Sequence, residues 1–113
     1  MNKGLLFAAL GVMFLFLAVS KTHSQNAIEG SYIVGKTSCT IEWHRNEYRC
    51  YWDKGIGYTV LIYQKDLPNG NVVYDEYEKD RTTYTGTFAF KDKSYRTGIY
   101  KRADGKEFEV EYF

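Results

Sequence analysis

The chain has 113 residues, room for one domain at most. Fifteen Lys and Arg against 14 Asp and Glu leave a formal charge of +1, which removes the electrostatic case for nucleic acid or an acidic membrane surface as partner. Apolar residues at 44% exclude wholesale disorder, and 11 Tyr, 7 Phe and 2 Trp against a single Pro favour strands, because rings pack well on a pleated, half-buried surface.

The chain opens on a segment unlike the rest. Lys3 is followed by an uncharged, mostly apolar run from Gly4 to Val19, then by the polar residues around Lys21. A charged start, an apolar stretch and a small-residue exit are the layout of a secretory signal peptide, so residues 1–24 are expected to direct export. Cleavage is expected after Ser24, with Ser20 and Ala27 as alternatives. The apolar run is shorter than the ~20 residues that a spanning helix needs, so no stable membrane insertion is expected after cleavage. The implied location is secreted, periplasmic or otherwise extracytoplasmic. Removing residues 1–24 takes Lys3 and Lys21 with it and turns the balance to one negative charge. It leaves only Leu61 and Leu67 among leucines and no Met, poor material for helices.

Residues 25–113 read as eight short strands with turn residues between them. They are predicted over Ser31–Val34, Cys39–Trp43, Glu47–Trp52, Tyr58–Tyr63, Asn71–Glu78, Tyr84–Phe90, Tyr95–Lys101 and Lys106–Tyr112. The N-terminal hairpin turns near His44-Arg45-Asn46; pairing Cys39 with Cys50 puts both Cys, Ile41, Trp43, Tyr48 and Trp52 on one face. Lys91-Asp92-Lys93-Ser94 is predicted to pair Phe90 with Tyr95. Ala103-Asp104-Gly105-Lys106 is predicted as a two-residue turn that sets Ile99 opposite Val110. On these registers Phe88, Ile99, Phe108, Val110 and Tyr112 face the core, while Tyr51 and Tyr100 point away from it. The fold class is all-β: one small antiparallel barrel or rolled sandwich, connected as an up-and-down meander.

Few residues carry catalytic chemistry. Cys39 and Cys50 are the only cysteines, and an even pair in an exported chain predicts a disulfide. Their spacing is not that of a redox or zinc motif. His23 leaves with the signal segment, so His44, in a turn, is the one base left for a nucleophile, and it reads as solvated. Asp75-Glu76-Tyr77-Glu78-Lys79-Asp80 is the densest acidic run; Glu76, Glu78 and Asp80 share a strand face and read as solvent-facing. No metal and no cofactor are expected. The tyrosines are the most suggestive feature, since an exposed ring offers an apolar face and a hydroxyl to a peptide, glycan or small ligand.

Two motifs carry resemblances. Gly30-Ser31-Tyr32, at the first strand of an exported meander, resembles the Gly-x-Trp opening of small lipocalin-like, calycin-type barrels, with Tyr in place of Trp. That resemblance implies an up-and-down barrel that binds a small ligand or a protein. Tyr84-Thr85-Gly86-Thr87-Phe88, Gly98-Ile99-Tyr100 and Ala103-Asp104-Gly105-Lys106-Glu107-Phe108 together are similar to one MORN unit, also built of hairpins. The spacing is about one residue long and Val110 stands where Gly is usual. The expected function is a non-enzymatic exported binding module that uses Tyr51, Tyr100, Trp43 and Trp52 toward a protein, glycan or small apolar ligand. An envelope-associated inhibitor or structural protein acting by protein contact is the alternative. A small hydrolase using Asp75 and Glu76 is the weaker one.

Overall fold

A computed structural model describes residues 28–113; the expected signal segment and its three alternative cleavage positions lie outside the described residues. The described chain forms strands β1 Gly30–Val34, β2 Thr37–His44, β3 Glu47–Trp52 and β4 Thr59–Asp66. Strands β5 Val72–Tyr77, β6 Tyr84–Phe90, β7 Thr97–Arg102 and β8 Glu107–Tyr112 follow. No helix occurs among the described residues. Each strand pairs antiparallel with the next, and β8 returns to β1 through Tyr32–Tyr112, Ile33–Glu111 and Val34–Val110. The architecture is therefore a closed eight-stranded meander barrel, with no strand edge left to template another chain. The segment similar to a MORN unit supplies β6, β7 and β8 of this barrel.

Period-two alternation builds the interior. In β5, Val72, Tyr74 and Glu76 are buried while Val73, Asp75 and Tyr77 are partly exposed. Rings do much of the filling: Tyr32, Phe88 and Phe90 are wholly buried, and the Phe88 and Phe90 rings stack at 5.7 Å. Tyr95 and Tyr74 meet Phe90 edge-on at 5.1 and 6.4 Å. The interior of an eight-stranded barrel can be filled by side chains alone, and here aromatic side chains replace the missing leucines.

Three registers differ from expectation. In β2–β3, Ile41 faces Cys50 and Cys39 faces Trp52, because the hairpin turns on two residues, with Arg45 at φ 62°. The slip is two residues, so every side chain keeps its predicted face. It does undo the direct opposition of Cys39 and Cys50: both are buried free thiols in contact across a diagonal, not the expected disulfide. The β6–β7 connection is longer than predicted, so that Phe90 faces Gly98, not Tyr95. Asp92 accepts from the Ser94 backbone N–H, Tyr95 takes φ 55°, and its ring folds back into the core. The β7–β8 loop holds three residues, closed by the Arg102 N–H on the Lys106 carbonyl, with Gly105 at φ 95°. Odd slips on both sides invert β7 alone: Ile99 is 39% exposed and Tyr100 only 6%. The acidic run is corrected as well, since Glu76 lies in phase with Val72 and Tyr74 and is 1% exposed.

Candidate functional site

One mouth of the barrel is formed by the β1–β2 turn, the β3–β4 loop and the β7–β8 loop. It holds a cleft of about 410 Å³ lined by Val34, Trp52, Tyr100 and Phe108, with Lys36, Thr37, Lys54 and Arg102 completing the wall. A concave apolar surface with a few converging polar groups is the usual form of a small-molecule site.

Alternation delivers these rings to the cleft. Trp52 ends β3 on the inner face, two residues beyond Cys50, and Tyr100 projects inward from β7 opposite Phe108 of β8. Trp52 and Tyr100 meet at 5.1 Å between ring centres, Trp52 stacks on Phe88 at 6.1 Å, and Phe88 lies 4.7 Å from Tyr100, so the three rings form one cluster. Two glycines make room. A β-carbon at Gly86 would stand 2.4 Å from the Tyr100 hydroxyl, so Tyr100 lies flat over β6 only because that position is bare. At Gly35, φ is +61° and a β-carbon would come within 2.8 Å of the Phe108 ring.

Beneath the two rings sits Glu76. Trp52 Nε1 donates to Oε2 and Tyr100 Oη to Oε1, each at 2.6 Å, and the Thr59 hydroxyl also donates to Oε2. No basic side chain pairs with this carboxylate among the described residues. Three charge-assisted hydrogen bonds stand in for a counter-ion. Burial, then the nearby Glu76 charge, pushes the Tyr100 phenol well above its ordinary value, so it stays a donor at neutral pH. The Cys50 thiol is raised too, by burial, by contact with Cys39 and by Glu76. The Cys50 thiol is therefore a poor nucleophile in the folded chain. The arrangement is a positioning device: one carboxylate takes the polar edges of Trp52 and Tyr100 and leaves their apolar surfaces to the cleft.

Of the four residues expected to bind, Trp52 and Tyr100 are brought together, although Tyr100 was expected on the outer face. Trp43 belongs to the opposite end of the barrel, edge-on to Tyr48 at 4.7 Å, with its backbone N–H donating to Glu29. Tyr51 is on the outer wall beside Tyr58, whose ring carries the Arg49 guanidinium at 4.2 Å. Asp75 and Glu76 project to opposite faces of β5, and Asp75 accepts from Thr87 on the outside, so the two carboxyls do not converge on one bond. His44 is exposed at the end of β2. Among the described residues no cluster of His, Cys, Asp or Glu is gathered to hold a metal ion. Phe108, Lys36, Lys54, Arg102 and the buried role of Glu76 were not foreseen as parts of one site. Glu76 had a signal in its phase with Val72 and Tyr74; the cations had none, since they converge only when β8 closes on β1. In comparisons with protein-family models, with curated proteins and with solved structures, nothing matches this chain.

Proposed function

We propose that residues 25–113 form an exported, non-enzymatic binding module and that the aromatic cleft at the barrel mouth is its ligand site. The observation that carries this reading is the clamp on Trp52 and Tyr100. A buried carboxylate is costly unless fully hydrogen-bonded, and here all its bonds go to holding two rings and a strand in place. The filled interior directs a ligand to the mouth and away from the hollow centre that larger lipocalin-like barrels use. Export rests on the signal-like segment 1–24.

The test uses secreted protein carrying Gln25 at its N-terminus and Trp43→Phe, so that Trp52 is the sole indole. Neutral, anionic and cationic naphthalene derivatives are titrated. At least one is expected to quench Trp52 emission saturably and to raise the melting temperature, and Phe108→Ser should weaken that response by ten-fold or so, as loss of one buried ring contact allows. If no derivative moves either signal, the cleft is not the site.

The alternative, contact with another protein of the envelope, draws on a different observation. Ile33, Ile99 and Tyr84 are exposed on the outer wall of β1, β7 and β6, beside a shallow groove that includes Ala89. A stable complex recovered from envelope extract and lost in Ile99→Lys, with Trp52 unmoved by every probe, would replace the first reading with this one.

A further inference from the structure

We infer that the cleft selects a small planar ligand carrying a negative charge, with Lys36 and Lys54 as its counter-ions. This rests on the cleft being the binding site, and it deepens that reading by naming the ligand class. The floor is three aromatic rings, Trp52, Tyr100 and Phe108, which present flat apolar surface. Neither the indole N–H nor the phenol hydroxyl is left for a ligand, because both are spent on Glu76. The side-chain polar groups remaining in the lining are the Thr37 hydroxyl and three cations.

The cations are not equivalent. Arg102 is engaged twice by Asp104, at 3.1 and 2.7 Å, and its guanidinium lies over the Phe108 ring at 5.5 Å. That pairing holds the Asp104 carboxyl down to about 2, so it stays ionised and neutralises Arg102 across the neutral range. Lys36 and Lys54, both exposed, make no ion pair among the described residues. The cleft thus carries two uncompensated positive charges, although residues 25–113 as a whole carry one net negative charge. Glu76 sits behind the rings and does not line the cleft, and its oxygens are taken by Trp52, Thr59 and Tyr100. An aromatic floor over a carboxylate would otherwise suit a cation; two unpaired ammonium groups in the same wall oppose that.

The experiment compares 2-naphthoate, 2-naphthalenemethanol and 2-naphthylmethylammonium on the Trp43→Phe protein, in low and high salt. Naphthoate is expected to bind roughly ten-fold tighter than the alcohol at low salt, the sum expected of two exposed ion pairs. The advantage should shrink as salt rises and vanish in Lys36→Gln/Lys54→Gln, whose melting temperature should match its parent because both lysines are exposed. Equal binding of naphthoate and alcohol overturns the charge selection and leaves the cleft as a binding site. Preference for the ammonium probe overturns it in favour of a cation site over Glu76. Binding of none of the three removes the cleft reading as well.

Discussion

A carboxylate shielded from water needs hydrogen-bond partners in place of water, and Glu76 has three donors and no cation. Two substitutions separate the charge from the shape. Glu76→Gln keeps an amide oxygen for Trp52 and Thr59, and the Tyr100 hydroxyl can turn to accept from the amide nitrogen, so mainly charge assistance is lost. About 1–2 kcal/mol of destabilisation is expected. Glu76→Leu strands three buried donors and should cost at least about 3 kcal/mol. Urea unfolding followed by circular dichroism measures both; a leucine variant no less stable than the glutamine one would mean that water already serves those donors. The chemical type of each residue at the site was legible from its letter, but its partners were not. Glu76 was grouped with Glu78 and Asp80 because acids are normally solvated, whereas its phase with Val72 and Tyr74 pointed inward. Solvation preference and strand phase disagreed, and phase won because Trp52, Thr59 and Tyr100 converge from three other strands to satisfy the charge.

Strand positions were legible to within a residue or two for seven of the eight elements, since alternation and turn residues are local signals, while β4 runs three residues past its predicted end, to Asp66. Register was not, because it is set by how many residues a loop consumes. A slip of two in β2–β3 left Trp43 and Trp52 on their predicted faces, while odd slips around β7 exchanged Ile99 for Tyr100. Tyr100 thereby moved from a supposed outer binding surface to the wall of the cleft. Gly86 is the local mark of that true register, because it is the bare patch on β6 that admits the Tyr100 ring. Gly86→Ala is expected to cost about 1–3 kcal/mol by overpacking and to shift Trp52 emission as Tyr100 is displaced from Glu76. Gly105→Ala is the control: φ is +95° and nothing stands within 4 Å of its β-carbon, so backbone strain alone should cost about 1 kcal/mol and leave emission unchanged. Equal emission shifts in the two variants would show that the Gly86–Tyr100 contact does not organise the cleft.

At the scale of the whole molecule, closure of β8 on β1 and a ring-filled interior make one cooperative unit, which could be anticipated as a fold class but not as a closed ring of registers. The closure carries its own aromatic fittings: the Tyr32 hydroxyl donates to the Ile28 carbonyl at 2.7 Å, and the Tyr112 ring occupies the space left bare by Gly30. Such a core has a distinctive weakness in alkali. Burial raises the phenols of Tyr32, Tyr74 and Tyr100 well above the ordinary value and pushes Tyr48 up to about 12. An unfolded tyrosine ionises near 10. Raised folded values mean that the neutral phenol is favoured in the barrel, so the contribution is fully present below about 10 and is lost as pH climbs through the folded values. Above about 10 the unfolded chain holds fewer protons than the folded one, and each of these four tyrosines steepens the fall in stability. A titration of phenolate absorbance should therefore separate into two phases. A first, reversible phase leaves the β-sheet signal intact; the phenols of Tyr32, Tyr48, Tyr74 and Tyr100 appear only as that signal collapses. Ionisation of all 11 tyrosines in one gradual step, with the sheet signal unchanged, would mean that the rings do not close the barrel to solvent.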